Sequence, residues 1–218
     1  MIDLSAYLRP GDHIVWGQAC GEPTTLIEAL LAQAEQIGEL SAFAATSFSG
    51  ILDSAAAQKI NLSSMGAIGA LRVLTEAHRL QVIPCHVSQV GALIAQGLIP
   101  CDVAFVQVSP PDKEGNHSFG LINDFIHAAV EKARVVIAEV NDQVPFTYGD
   151  VMLRADQIDY AVHVSRTPVE VTPVKITQTD QLIARNVAGY IEDGAVLQVG
   201  IGAVPDAILR LLHDRRDL

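Results

Sequence analysis

Two nearly continuous apolar runs constrain the fold of this chain most strongly. The first covers residues 102–108, Asp-Val-Ala-Phe-Val-Gln-Val, and the second covers residues 134–140, Arg-Val-Val-Ile-Ala-Glu-Val. Strands of a parallel sheet are covered on both faces and therefore read as nearly continuous apolar runs. A helical pattern over 124–132 separates the two runs. The sequence therefore predicts a βαβ unit with buried parallel strands.

The same alternation of strand and helix patterns continues through most of the chain. Half of the 218 residues are apolar, which is enough for a well-buried core. The patterns predict strands at 13–16, 40–46, 81–84 and 159–164, helices over Leu26–Ile37, 70–80 and 87–95, and a loop over 47–67. Alternation at these spacings predicts an α/β fold in which helices flank a mostly parallel sheet.

Charge and composition exclude several classes of function. The net charge is −11 and no basic run occurs, which disfavours binding to nucleic acid or to an anionic membrane surface. The sequence lacks a basic leader and an apolar stretch of about twenty residues, so we expect a cytoplasmic protein without a membrane span. Its cysteines have no CxxC spacing and its histidines no HExxH spacing, so we predict reduced thiols and no metal site.

A glycine turn near residue 200 is the first candidate for ligand binding. The apolar residues 195–197 predict a strand that leads into Gly200-Ile201-Gly202, and Pro205 then opens a helical pattern. Glycines allow the backbone to approach a ligand closely, and the free amides of a helix N-terminus attract an anion or a developing oxyanion. The dinucleotide GxGxxG motif is absent, because Pro205 occupies the place of its third glycine. An ordinary tight turn between a strand and a helix is the alternative.

The segment at 192–209 repeats the pattern of the segment at 9–26. Each has a turn glycine, an apolar strand, a second glycine turn, a proline and a leucine-rich helix. Strand–glycine–helix units recur in any α/β protein, so the repeat is either plain architecture or the start of a second α/β half near Asp180. The second interpretation predicts an extended crossover at 165–179 and a strand–loop–helix at 180–218 that packs on the first sheet.

Polar residues follow the predicted strands at the carboxyl edge of the sheet, where α/β proteins bind ligands. A rigid turn, Ser-Pro-Pro-Asp, follows the first buried strand, and a glutamate and an asparagine end the second. Asp112 has an alternative role as a cap of local amides, and Glu139 as a paired structural carboxylate. The residues predicted to line an active site are Gly17, Gln18, Pro110, Asp112, Glu139 and Asn141.

Four segments together resemble the acetyl-CoA hydrolase/transferase family, and within it the 4-hydroxybutyrate CoA-transferases. They are residues 14–23, 109–120, 137–150 and 197–206, and the last, with its Gly-Ile-Gly-Ala-Val-Pro-Asp, is the most specific. The resemblance covers essentially the whole chain and is to the N-terminal half of the family. It implies the α/β fold of CoA-transferases, which sugar-phosphate isomerases share.

The resemblance also implies a reaction and a binding loop. A family glutamate attacks an acyl-CoA thioester and carries CoA to a small carboxylic acid, so that coenzyme A is a substrate and no cofactor is permanently bound. The residues that match the CoA-binding loop of the family are Gly200, Ile201, Gly202, Ala203 and Val204.

The chain departs from the family at its catalytic glutamate. The family places that residue shortly beyond a segment like 213–218, and no glutamate in this sequence takes the role. We therefore expect an N-terminal half that is inactive without a C-terminal partner half, and whose uncovered apolar face favours a homo-oligomer. The alternatives are a non-catalytic CoA- or nucleotide-binding module, an acyl-CoA hydrolase, and a sugar-phosphate isomerase-like enzyme, which the apolar glycine loops disfavour.

Overall fold

The computed structural model describes residues 2–218, which fall into a first unit up to Glu170 and a second unit from Val171 to Leu218. The elements of the first unit are β1 (His13–Trp16), α1 (Thr24–Ile37), β2 (Ser41–Phe43), α2 (Ala56–Lys59), β3 (Asn61–Ser64), α3 (Leu71–Glu76), β4 (Leu80–Val82), α4 (Val87–Ala95), β5 (Val103–Val108), β6 (Asn116–His117), α5 (Ile126–Lys132), β7 (Val135–Asn141), β8 (Leu153–Arg154) and β9 (Tyr160–Val164).

Seven parallel strands form the main sheet, in the order β4-β3-β2-β1-β5-β7-β9. From β1 the chain winds outward through β2 and β3 to β4. It then returns to β5 on the other side of β1 and winds outward through β7 to β9. The winding direction therefore reverses between β1 and β5, and ligands of such sheets bind outside the carboxyl ends of the strands at this point.

The predicted buried strands are confirmed as the centre of the sheet. β5 and β7 pair in register from Val103 with Val135 to Val108 with Val140, and every residue of both strands is buried. On one face, Phe105 and Ile137 join a core with the apolar side of α1. On the other face, Val106 and Ala138 join a core with α4 and α5. The predicted α/β architecture, with helices on both faces of a parallel sheet, is therefore correct.

The region predicted as a loop, 47–67, contains α2 and β3. β3 has the sequence Asn-Leu-Ser-Ser, which carries one apolar residue, Leu62, and so lacks an apolar run. It is a strand because β2 and β4 pair with it on both sides and supply its backbone hydrogen bonds. The predicted helix at 70–80 is limited to α3, and the two-stranded ribbon β6–β8 was not predicted.

The second unit contains two helices, α6 (Gln178–Ala188) and α7 (Ala203–Arg210). α6 begins with a capping box, in which the Thr177 hydroxyl and the Asp180 carboxylate each accept a hydrogen bond from the other residue's backbone amide. Residues 165–177 form neither helix nor strand. The packing of 180–218 on the first sheet stays a prediction.

The strand predicted at 195–197 is absent from the structure. Val196 is fully exposed, and the described part of the second unit contains no strand to pair with it. A strand without a neighbour leaves its backbone groups unpaired, so the apolar pattern alone does not form one. Pro205 is the third residue of α7 rather than its first. That place suits proline equally well, because the amides of the first helical turn have no intrahelical partner.

The fold also bears on membrane and metal binding. None of the helices within residues 2–218 is long and apolar enough to cross a membrane. The same residues contain no group of three or more histidine, cysteine, aspartate or glutamate side chains that could hold a metal ion.

We predict that truncation of Phe105 destabilises the first unit strongly. Its side chain is fully buried in β5, so Phe105→Ala should lower the free energy of unfolding by about 3–5 kcal/mol. The matched control is Val73→Ala on α3, where the side chain is 57% exposed and a change within about 0.5 kcal/mol is expected. Urea denaturation followed by circular dichroism measures both, and equal losses would contradict the assignment of β5 to the core.

Candidate active site

The loop between β1 and α1 lies at the point where the winding direction reverses. A Cβ on Gly17 would lie 2.6 Å from the Gly21 carbonyl oxygen, so only glycine fits this turn. Ala19 has a φ of +50°, which is uncommon for a residue with a side chain, and its amide donates to the Thr46 carbonyl at 2.9 Å. Backbone strain of this kind persists only where surrounding contacts hold it, and it concentrates at functional sites.

The side chain of Gln18 is engaged with α5. Its Nε2 donates to the Asp124 carboxylate, and that carboxylate accepts the amide of Ile126 at 3.2 Å in the first turn of α5. Burial raises the pKa of Asp124 above the ordinary aspartate value. Gln18 therefore ties the first loop to α5, and this contact fixes the loop at the carboxyl edge.

Glu22 is a site residue that sequence reasoning missed. Its side chain is fully buried, and Oε1 accepts the amides of Phe48 at 2.6 Å and Ser49 at 3.2 Å. Oε2 accepts the hydroxyls of Ser47 at 2.9 Å and Ser49 at 2.7 Å. Four donors replace the water that the carboxylate loses on burial, and these contacts fix the loop that follows β2. Its place in a Gly-Glu-Pro turn gave no signal of these partners.

Glu139 points to the first turn of α1. Its side chain is fully buried, and Oε2 accepts the amides of Thr25 at 2.8 Å and Leu26 at 3.2 Å. These amides lack intrahelical partners and lie at the positive end of the helix dipole, which favours a carboxylate there. Oε1 has no hydrogen-bond partner within residues 2–218, and burial raises the pKa of Glu139. The geometry favours the structural role for this residue.

Asn141 clamps the segment that follows β9. Its Nδ2 donates to the Arg166 carbonyl at 2.7 Å and to Gln107 Oε1 at 3.3 Å, and its Oδ1 accepts the Arg166 amide at 3.1 Å. Gln107 in turn donates from Nε2 to the Cys20 carbonyl at 3.0 Å. A continuous chain of amides thus crosses the carboxyl ends of β7 and β5 and reaches the loop after β1.

The Ser-Pro-Pro-Asp turn follows β5 at the same edge. Pro110 is exposed and lines a cavity of about 300 Å³ with residues at the carboxyl ends of β7 and β9. Asp112 Oδ1 accepts the amides of Glu114 at 2.9 Å and Asn116 at 2.8 Å. These hydrogen bonds hold the pKa of Asp112 below its ordinary range. Asp112 therefore caps the turn, as the alternative interpretation of the sequence proposed.

The residues that match the CoA-binding loop lie in the second unit, ahead of α7. Gly202 caps the helix with a φ of +139°, a conformation that side chains rarely adopt. Ile201 is 93% exposed, and Gly200 is also exposed. The loop and the first turn of α7 therefore present backbone to solvent.

The sheet topology gathers most of the predicted lining residues at one edge. Gly17, Gln18, Pro110, Glu139 and Asn141 all lie at the carboxyl ends of β1, β5 and β7, which are adjacent in the sheet. Glu139 and Asn141 are buried behind that edge, and they position the loops in front of it. The edge therefore combines a rigid buried polar layer with exposed loops that can contact a ligand.

Comparisons with known proteins show which proteins this chain resembles. The family model of the acetyl-CoA hydrolase/transferase N-terminal domain matches residues 3–173. The chain is 37% identical over 208 residues to 4-hydroxybutyrate coenzyme A transferase of Clostridium kluyveri, covering 94% of this chain and 48% of that protein.

Two solved structures have the same fold. A 4-hydroxybutyrate CoA-transferase from Porphyromonas gingivalis is similar with a TM-score of 0.76 and 33% identity, over 97% of this chain and 50% of that one. RipA from Yersinia pestis is similar with a TM-score of 0.85 and 27% identity, over 98% of this chain and 53% of that one. The chain therefore spans about half the length of these relatives.

We predict losses of different size for the two buried glutamates when each is changed to glutamine. In Glu22→Gln the new amide group must face donors, so we expect a loss of about 2–3 kcal/mol of stability at pH 7. Glu139→Gln keeps an acceptor for the two α1 amides and removes a buried charge. It should therefore cost less than about 1 kcal/mol at pH 7.

The pH dependence of the stability of Glu139→Gln provides the control for this prediction. A carboxyl whose pKa is raised by folding contributes stability that is full below its unfolded pKa and is lost as the pH rises through its folded pKa. The stability of Glu139→Gln relative to wild type should therefore increase from roughly pH 4 to pH 8. Urea titrations at these two pH values measure it, and a relative stability that falls with pH would contradict the burial effect.

Proposed function

Since this chain belongs to the acetyl-CoA hydrolase/transferase family, we propose that it forms the N-terminal half of a CoA-transferase. The enzyme would move CoA between an acyl-CoA and a small carboxylic acid. Two relatives support this choice, since each is named as a 4-hydroxybutyrate CoA-transferase. The remaining half of the enzyme would correspond to the part of those relatives that this chain does not cover.

The proposed reaction proceeds through an enzyme carboxylate. The carboxylate attacks the thioester carbonyl, CoA thiolate leaves, and a mixed anhydride forms between the acyl group and the enzyme. The thiolate then attacks the enzyme side of the anhydride, which releases the acyl group as a carboxylate and leaves a glutamyl-CoA thioester. The acceptor acid repeats these two steps in reverse and departs as the new acyl-CoA. Each difficult exchange is thereby divided into easier acyl transfers.

We propose that the nucleophile comes from outside these 218 residues, because the glutamates at the carboxyl edge are buried or paired. Glu22 and Glu139 are fully buried and accept hydrogen bonds from backbone amides. Glu28 is held by the Arg166 guanidinium. A nucleophile needs an oxygen that is both accessible and unpaired, whereas Glu22 and Glu139 are buried and Glu28 is paired with Arg166.

The loop at 200–204 is the proposed CoA-binding segment. The amides of Ala203 and Val204 begin α7 and have no intrahelical partners, so they can donate to a thioester oxygen as it becomes negative. Such donors contribute roughly 3–4 kcal/mol each to the stability of an acyl-transfer transition state. The apolar side chains of the loop suit the pantetheine arm, which carries no charge.

We predict that the purified chain binds acetyl-CoA and does not turn it over. Isothermal titration should detect binding, while incubation with acetyl-CoA and 4-hydroxybutyrate should give no new thioester by mass spectrometry. Detectable exchange would show that the nucleophile lies within these residues. Release of free CoA without an acceptor acid would indicate a hydrolase. If the chain binds acetyl-CoA and still shows no exchange when the second half of a relative is added, a non-catalytic binding module is favoured.

A pair of glycine variants tests the loop itself. Gly202→Ala places a side chain at a φ of +139°, so the loop should distort and acetyl-CoA affinity should fall at least about tenfold. Gly189→Ala is the matched control, because Gly189 ends α6 in a helical conformation where alanine is tolerated. Equal affinity in both variants would contradict the assignment of the loop to CoA.

A further inference from the structure

A cavity of about 350 Å³ lies beside the buried polar layer of the first unit. Three segments form its walls, and each follows the carboxyl end of a strand: the first turns of α1 after β1, the loop after β2, and the segment after β9. The side chains that give the cavity its charge and its apolar surface are those of Glu28, Phe48, Ile51, Arg166, Val169 and Glu170.

A buried polar side chain fixes each wall separately. Glu139 holds the first turn of α1 through the amides of Thr25 and Leu26. Glu22 accepts four hydrogen bonds from the loop after β2. Asn141 clamps both backbone groups of Arg166. A cavity whose walls are held in this way is organised before a ligand arrives, which is what a binding site requires.

Arg166 is the one cationic side chain among the residues that line this cavity in the described chain. Its guanidinium holds the Glu28 carboxylate with two parallel hydrogen bonds of 2.8 Å each. This is the geometry with which arginine recognises carboxylates in general. Arg166 holds the pKa of Glu28 below its ordinary range, so Glu28 is charged at neutral pH.

The pair is exposed enough to exchange. The Arg166 side chain is 41% exposed and that of Glu28 is 49% exposed, so water can solvate Glu28 if it leaves. Exposed ion pairs contribute little to stability, and another carboxylate can replace one partner without a large loss. The Arg166 backbone would stay in place during this exchange, because its two contacts with Asn141 do not involve the guanidinium.

We propose that this cavity binds the carboxylate of a small organic acid at Arg166, in exchange with Glu28. The inference rests on the proposed function, because it places the acid substrate of CoA transfer in the first unit. Phe48, Ile51 and Val169 would contact the carbon chain of the acid. Glu170 adds a second negative charge to the cavity, so a monocarboxylic acid should bind more tightly than a dicarboxylic one.

Binding of butyrate to the purified chain, measured by nuclear magnetic resonance titration, tests the proposal. Glu28→Gln removes the internal competitor and should tighten butyrate binding about fivefold or more. Arg166→Gln should weaken it at least about tenfold. Glu76→Gln is the matched control, because it breaks the exposed pair with Arg72 on α3 and should leave affinity unchanged. Succinate should bind wild type more weakly than butyrate.

The outcomes separate this inference from the proposed function. Butyrate affinity that is the same in wild type, Glu28→Gln and Arg166→Gln would overturn the inference, as would tighter binding of succinate. Arg166→Lys keeps the charge without the paired donors, so it should also lose affinity and serves if Arg166→Gln unfolds. Acetyl-CoA titrations of the same samples measure binding at the loop of residues 200–204, which is not part of this cavity. Lost CoA binding with retained butyrate binding would count against the proposed function alone.

Discussion

The reversal of winding direction between β1 and β5 is the constraint on which the rest of the first unit depends. Because the chain leaves β1 toward one side of the sheet and leaves β5 toward the other, the loops after these strands diverge and open a crevice. The divergence also leaves backbone groups in the first turn of α1 and in the loops at positions that little water reaches. Buried polar groups must satisfy these backbone groups if the edge is to be stable.

Three side chains meet that need in different ways. Glu22 is surrounded by four donors, whereas Glu139 has two donors on one oxygen and none, within the described residues, on the other. Asn141 is neutral and pairs with both the donor and the acceptor of one backbone unit. Donors replace the water that Glu22 loses on burial, whereas Oε1 of Glu139 lacks such donors and burial raises the pKa of Glu139.

The sequence predicted those parts of the fold that depend on local pattern. β5 and β7 were found because strands covered on both faces require continuous apolar residues. β3 was missed because its stability comes from pairing with its neighbours rather than from its own residues. The strand at 195–197 was predicted wrongly, because an apolar segment forms a strand only when a neighbouring strand is present to pair with it.

The candidate site was predictable in position and less so in role. Parallel topology alone places the residues after β1, β5 and β7 at one edge, so the position of most predicted lining residues followed from the sequence. Their roles depend on partners distant in sequence: Glu22 binds residues 47–49, and Asn141 binds Arg166. No short-range motif encodes such pairs, because they form only when the sheet brings separate loops together.

The charge of the edge bears on how a CoA thioester would be recognised. Arg166 is neutralised by Glu28, so this part of the first unit offers a thioester no unpaired guanidinium from Arg166. Backbone amides, such as those that begin α7, are neutral donors whose interaction strengthens as the carbonyl oxygen gains charge. Donors of this kind would stabilise the transition state more than the bound substrate, which is the condition for catalysis in the function we propose.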